Sequence, residues 1–331
     1  MDGNPDIMVG VSDSIVPISI FRKKLMADKS RNGSSMVRYT EHLGSLGAQF
    51  AINFLSERVE ITINKVIAMS KHVLYVNLVE PILRFVLVSK GYVLLHSACI
   101  ADEYGRGMLL SAPPDTGKTT TVLRCIKLGC SFLSDDMTIL EKTKEALCFP
   151  KPMTISSHTY NTAKTVATKK SRGIQNMMLR SLVHSKKGRG LMRNMGKHNV
   201  PIFTINTVGQ ALIKPPKFKI EDLFQHVNIR ERTRISNLFF LERGGEETRK
   251  ITISEALKRA IENSDDAFLF PPYKELLQHL NIGGLDSVTL LEAERNLLEK
   301  FISNIECTIL KSEQRLWFEK VIQISPDTET I

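Results

Sequence analysis

Residues 112–119 read Ala112-Pro113-Pro114-Asp115-Thr116-Gly117-Lys118-Thr119, the spacing of a phosphate-binding loop with alanine at its first glycine position. Such a sequence gathers backbone N–H groups and a helix N-terminus around one anion, a donor cluster that water does not match. Gly117 permits close backbone approach, the Lys118 ammonium reaches the outer phosphates, and the Thr119 hydroxyl suits a magnesium ion. Pro113 and Pro114 carry no N–H, so the anion contacts are expected from Asp115, Thr116, Gly117, Lys118, Thr119 and Thr120. The chemistry this predicts is binding of a nucleoside triphosphate, with ATP and Mg2+ as the expected cofactors and GTP left open.

Asp135 and Asp136 stand side by side, the first of them 17 residues beyond Lys118. Phosphoryl transfer needs, besides a phosphate cradle, one group to hold magnesium and one to take a hydroxyl proton. Two adjacent carboxylates after a phosphate loop supply both, and a polar strand exit or a helix cap is the simpler use of the same residues.

The elements that must position these groups are legible as patterns. Gly107–Ser111 is a short apolar run feeding the loop, and Val122, Leu123, Ile126 and Leu128 recur at helical spacing after it until Gly129. Tyr92–Ile100 reads as one buried strand and turns through Asp102–Gly107 into the loop strand as a hairpin. Within Cys130–Leu140 an apolar strand ends at the acidic pair, and Ala146–Phe149 reads as a short strand pairing back. Upstream, Glu57–Ile63 alternates as a half-exposed strand, and Tyr75–Val88 suits a helix despite Pro81, with Gly91 as its stop. Downstream, Ile235–Leu241 reads as a strand, Ser254 and Ser287 as helix caps, and the last thirty residues as mixed strand and helix containing Trp317. Residues 1–35 give no firm pattern, either a loosely ordered arm or an edge strand.

The ordered series Leu95-His96, the turn ending Tyr104-Gly105, the loop, and Leu133-Ser134-Asp135-Asp136 resembles the catalytic domain of HPr kinase/phosphorylase and its structural relative phosphoenolpyruvate carboxykinase. The resemblance covers roughly residues 92–157. It implies an α/β fold with α+β character, a P-loop core with a mixed sheet, and ATP-dependent phosphotransfer. On that basis His96 joins the catalytic group with Lys118 and Asp135, the latter as general base, and Asp136 shares magnesium with Thr119; the two aspartates' roles are exchangeable. A hydrogen-bonded core histidine is the plainer reading of His96. The family's protein-substrate loop has only a weak echo, at Arg172-Gly173-Ile174, and alanine stands at position 112.

The chain has 331 residues, 42% apolar and 24% charged, with net charge +10. That suits one large domain or two modest ones. We expect boundaries at 1–74 (an arm or small subdomain), 75–286 (the nucleotide core) and 287–331 (a C-terminal extension). The positive charge is local: residues 146–220 hold fourteen Lys or Arg and no Asp or Glu, so the remainder sums to −4. Within it Arg172, Lys186, Lys187 and Arg189 are the candidate acceptor-binding residues, since such a stretch attracts polyanions. The five cysteines form no C-x-x-C pair, which points to neither a zinc site nor a disulfide framework. Met1–Asp6 has no signal-peptide character and no uncharged apolar run reaches the roughly 18 residues of a spanning helix, so a cytoplasmic location without a transmembrane segment is expected.

The expected function is therefore a kinase moving a phosphoryl group to a hydroxyl acceptor, which could be a protein serine, a small alcohol or a phosphate-bearing polymer. The alternatives are a nucleotide-switched protein gripping RNA or an anionic surface through the basic segment, and carboxykinase-like carbon chemistry. The resemblance also allows a homo-oligomer.

Overall fold

A computed structural model describes residues 4–13, 15, 25–29, 35–41, 46–114, 116–155, 157–166, 200–213, 217–268 and 272–324. The chain is mixed α/β with mixed sheets. It forms two compact units, one of Met1–Lys90, Lys186–Lys214 and Phe268–Ala293, the other of Gly91–Ser185, Pro215–Ala267 and Glu294–Ile331. The grouping is interleaved along the sequence, where the sequence pattern had suggested contiguous boundaries at 74/75 and 286/287.

In the first unit, β1 (Ile7–Val11), β2 (Leu25–Lys29), β3 (Ser35–Thr40), β4 (Gln49–Phe54) and β5 (Val59–Ile63) form a sheet in the order β1-β5-β4-β3-β2. The β1 and β5 pair is parallel and the other pairs antiparallel. Val59, Ile61 and Ile63 are buried and alternate with half-buried Glu60 and Thr62, the period of two expected of this segment. Tyr39 stacks on Phe50 with ring centroids 4.9 Å apart, and Phe203 meets both rings at 6.2 Å. Phe203 opens the helix Ile202–Leu212, whose N-terminus carries no cap from its own Pro201. The buried Glu41 carboxylate caps it instead, accepting from the Phe203 and Thr204 N–H groups at 2.8 Å each and from the Tyr39 hydroxyl at 2.9 Å. An anion at this helix end also meets the positive end of the backbone dipole.

The helix expected at Tyr75–Val88 runs longer, Lys71–Ser89, with a π-helical turn at Tyr75–Val79. Proline explains the turn. Pro81 cannot donate to the Asn77 carbonyl and its ring crowds that group, and a wider turn, closed by the Glu80 N–H on the Tyr75 carbonyl, relieves the conflict. By length and composition alone this helix could cross a bilayer, and 56% of its most apolar window is buried. Glu80 and Arg84 are both 1% exposed, and Arg84 lies over the Phe85 and Phe268 rings. This is the pattern of a core helix that carries charged side chains inward.

The second unit holds β6 (Tyr92–Leu95), β7 (Ala98–Ala101), β8 (Arg106–Ser111), β9 (Ser131–Ser134), β10 (Thr138–Glu141) and β11 (Glu145–Leu147). A short antiparallel pair, β12 (Met153–Thr154) and β13 (Lys217–Phe218), precedes β14 (Arg232–Glu242) and β15 (Glu247–Lys250). After the hairpin β16 (Asn281–Ile282) and β17 (Leu285–Asp286) in the first unit, β18 (Glu306–Lys311) completes the large sheet. Its path is β6-β10-β11-β14-β8-β7-β9, with β18 lying between β14 and β15. The pairs of β14 with β8 and with β18 are parallel, and the remaining pairs are antiparallel.

Both faces of this sheet are covered at β8, so Met108, Leu109 and Leu110 are apolar in succession: Met108 and Leu110 point to one core, Leu109 to the other. The first core takes Val122, Leu123 and Ile126 from the helix Lys118–Lys127 and Trp317 and Val321 from the helix Trp317–Ile324. The second takes Leu257 and Ala260 from the helix Ile253–Ala267, and Leu298 and Phe301.

The expected strand Tyr92–Ile100 is broken in the middle, whereas the strand before the acidic pair ends where it was expected to. Tyr92–Ile100 ends β6 at Leu95 and restarts as β7 at Ala98, and Cys130–Leu140 ends β9 at Ser134 and restarts as β10 at Thr138. β6 pairs with β10 at one end of the path and β7 with β9 at the other. The two- and three-residue links at 96–97 and 135–137 therefore draw the path's ends together, and the sheet curls. Ser and Thr side chains knit the links: Ser97 Oγ donates to Thr138 Oγ1 at 3.0 Å, Thr138 Oγ1 donates to the Ser97 carbonyl at 3.0 Å, and Ser134 and Thr138 share a bond of 2.6 Å.

Candidate functional site

β8, the loop and the helix Lys118–Lys127 follow in the order the sequence pattern required. Thr116 is buried, and its N–H closes on the Pro113 carbonyl at 3.3 Å. Gly117 occupies the helix N-cap position with φ +144°, where L side chains are strained, and offers no capping side chain. A Cβ here would stand 2.5 Å from Trp317 Cζ3. Trp317 is fully buried, and its indole N–H donates to the Glu242 carbonyl at 3.2 Å. Sequence thus specifies glycine for two separate reasons: backbone conformation and a ring packed against it. The Gly117 carbonyl accepts from the Thr121 N–H at 3.0 Å and hydroxyl at 3.1 Å, which fixes the first turn. The first-turn N–H groups of a helix have no carbonyl within the helix to bond.

From this turn Thr119 reaches the acidic pair, its hydroxyl donating to Asp135 Oδ2 at 3.0 Å. Among the described residues, the buried Asp135 Oδ1 and the buried Lys118 Nζ have no hydrogen-bond partner. Burial pushes the Asp135 carboxyl up to about 6, with Asp136 adding to the rise, against the opposing pull of Lys118 and of the Thr119 bond. Burial likewise lowers the Lys118 ammonium below its ordinary value, with Lys151 lowering it further, although both carboxylates favour its charge. Burial thus disfavours the charged form of each of these two groups, although each already feels the other's opposite charge.

His96 lies in the first strand break. Its Nδ1 faces the Asn263 carbonyl at 2.9 Å, which can only accept, so Nδ1 carries a proton. Its Nε2 lies 3.5 Å from Asp136 Oδ1. Burial, then Lys118, lower the His96 pKa against the pull of Asp136 and of the Asn263 bond, and in the neutral ring, with Nδ1 protonated, Nε2 is a lone pair facing a carboxylate oxygen. Two acceptors so placed are reconciled by a proton or a cation between them. Asp136 Oδ2 accepts from Lys151 Nζ at 2.7 Å. Enclosure by protein disfavours the Asp136 charge, but Lys151, His96 and Lys118 outweigh that and hold its carboxyl well below the usual range. The Asp136 side chain nevertheless keeps 42% of its surface exposed.

The structure thus brings together Gly117, Lys118, Thr119, Asp135, Asp136 and His96, and Thr120 stands half-buried on the same helix turn. It pairs Thr119 with Asp135, where the family resemblance had set Thr119 with Asp136. Asp135 is itself buried at the strand break, while Asp136 turns to His96 and Lys151. Asp115, Arg172, Lys186, Lys187 and Arg189 lie outside the described residues.

Sequence reasoning gave no role to Lys151, one of fourteen basic residues in 146–220. It also missed Asn263 and Ser264, which lie near the end of the helix Ile253–Ala267. Ser264 accepts from the His96 N–H at 3.3 Å, and Asn263 Nδ2 donates to Ser111 Oγ at 3.1 Å. Trp317 gave a signal only as the chain's single tryptophan.

Among the described residues no cluster of three or more His, Cys, Asp or Glu forms a protein-only metal site. Magnesium is ordinarily held by one or two carboxylates together with phosphates and water, and the Thr119–Asp135 pair with its unpaired Oδ1 fits that donor set. The unpaired Lys118 ammonium fits a phosphate in the same way. No protein-family model matches the chain, and a comparison with curated proteins finds no match.

Proposed function

We propose that this chain is an ATP-dependent phosphotransferase with a P-loop core of the HPr kinase/phosphoenolpyruvate carboxykinase type, acting on a hydroxyl acceptor. The observation that carries the reading is the pair of buried, unpaired groups, Lys118 Nζ and Asp135 Oδ1, next to an uncapped helix N-terminus. Leaving a buried charged group without a partner costs free energy, and a phosphate with a divalent cation would satisfy both at once.

In this reading the first-turn N–H groups and Lys118 grip the β- and γ-phosphates, and Thr119 with Asp135 hold magnesium. Bound there, magnesium would neutralise charge developing on the transferring phosphoryl group. His96 and Asp136 take the proton. As the acceptor oxygen forms its bond to the γ-phosphorus and the bond to the β-phosphate oxygen breaks, the hydroxyl proton passes to Nε2. It is then held between Nε2 and Asp136 Oδ1, the imidazolium facing a carboxylate that stays charged. The two aspartates exchange the roles that the family resemblance implied, because Thr119 contacts the first of them.

The test is direct. Incubation with γ-labelled ATP and fractionated cell extract should move label onto a protein, a small metabolite or a polymer. Label released only as free phosphate would favour a nucleotide switch, and absence of nucleotide binding in equilibrium dialysis would refute the reading altogether.

A further inference from the structure

Asp136 is contacted on both oxygens. Oδ1 faces His96 Nε2 at 3.5 Å and Oδ2 faces Lys151 Nζ at 2.7 Å. A histidine nitrogen and a carboxylate oxygen at such a distance form a donor set that a divalent metal could use, so the pair alone does not decide between a second cation and a proton. Lys151 decides it. An exposed lysine at a carboxylate contributes little, but the Lys151 side chain is only 8% exposed.

The backbone holds it there. The Lys151 N–H donates to the Phe149 carbonyl at 2.7 Å, and the Phe149 N–H donates to the Leu133 carbonyl at 3.1 Å. Leu133 is two residues before the acidic pair on β9. The ammonium is thus tied to the strand that delivers Asp136. It fills Oδ2, so the carboxylate cannot bind a metal through both oxygens. A divalent ion on Oδ1 would stand beside a fixed like charge, with Lys118 close enough to add a second.

We propose that Lys151 takes the place of a second divalent cation at Asp136, so that the loaded site holds one divalent ion, on the Thr119–Asp135 side. The inference rests on the nucleotide reading above. Lys151 is in this sense a positioning residue that acts through Asp136.

The experiment is Mn2+ titration of the full chain with one ADP per chain, followed by electron paramagnetic resonance. Wild type should bind one nucleotide-dependent Mn2+ with the spectrum of an isolated ion. Lys151→Met should bind two with a spin-coupled spectrum, while Lys151→Arg should stay at one. Lys151→Gln carries the same expectation as the methionine variant if that one fails to fold. Two coupled ions in wild type, or a single ion in a folded Lys151→Met or Lys151→Gln, would overturn the inference while leaving nucleotide binding intact. No nucleotide-dependent ion in wild type would instead overturn the nucleotide reading, and this inference with it.

Discussion

Gly117 lies against the buried ring of Trp317, so close that a methyl group on it would stand 2.5 Å from Cζ3. Gly117→Ala should therefore destabilise by about 2–4 kcal/mol, part from the clash and part from the positive φ. Trp317→Ala alone should cost about 3–5 kcal/mol. Placed in the Trp317→Ala background, Gly117→Ala should cost only its backbone share, a coupling of about 1–2 kcal/mol in a urea-denaturation cycle. Additive costs would show that the ring does not constrain the loop.

Lys118 has a buried ammonium with no hydrogen bond among the described residues. Lys118→Met should keep the packing of the stem and remove the unpaired charge, raising stability by about 1 kcal/mol. It should also weaken ADP binding by about 100-fold or more, as removal of a charged phosphate donor does. Loss of stability together with loss of binding would mean that Lys118 supports the fold and not the ligand.

Asp135 sets a pH dependence of known sign. Its carboxyl is pushed up to about 6 by burial, so the folded chain holds that proton more tightly than the unfolded one. The stability it contributes is complete below about pH 4 and is lost as pH rises through 6, amounting to at most about 3 kcal/mol. Asp135→Asn should remove this decline, raising the urea midpoint at pH 7 more than at pH 4.5. A substitution effect of equal size at both values would exclude the raised pKa. On the proposed reading Mg-ADP competes with the same proton, so wild-type affinity should climb across pH 6, and in Asp135→Asn the climb should shrink to the part supplied by the titration of the ADP phosphate itself.

Glu41 presents its carboxylate to two N–H groups of the helix Ile202–Leu212 and to the Tyr39 hydroxyl. Glu41→Ala leaves those donors buried and unpaired and should cost about 2–4 kcal/mol. Glu41→Gln, which keeps one acceptor oxygen, should recover roughly half of that by thermal or chemical denaturation. Equal losses in the two variants would assign the effect to packing of the side-chain stem.

The hairpin of β7 and β8, the loop and its helix were legible because each has its own periodicity or turn signal, and so was the alternation of β5. The break at His96–Ser97 was not, nor was the start of a new strand at Thr138. β7 and β9 are buried throughout and β6 nearly so, so an apolar run looks the same whether it stays beside one neighbour or changes to another. Helix starts were read within two residues. Thr252 caps where Ser254 was expected, and Asp286 caps where Ser287 was expected, since any small polar residue near the boundary serves. Lys151 was hidden by its surroundings in sequence: thirteen other basic residues share its segment, and only its tie through Phe149 to Leu133 distinguishes it. The parallel pairing of β1 with β5 joins residues 52 positions apart, such as Ile7 and Val59, a partnership that local patterns do not carry.

Because His96 and Asp136 are delivered by two short links within one curled sheet, their alignment is a matter of chain length more than of side-chain identity. One residue added between Leu95 and Ala98, or between Ser134 and Thr138, would rotate a whole strand by half its repeat and send the histidine or the acid to the opposite face. The same addition in the turn at 102–105 or at 142–144 would be absorbed outside the ladder. Growth and shrinkage of this unit are thereby confined to its outer turns, and His96 and Asp136 keep their separation as the periphery changes.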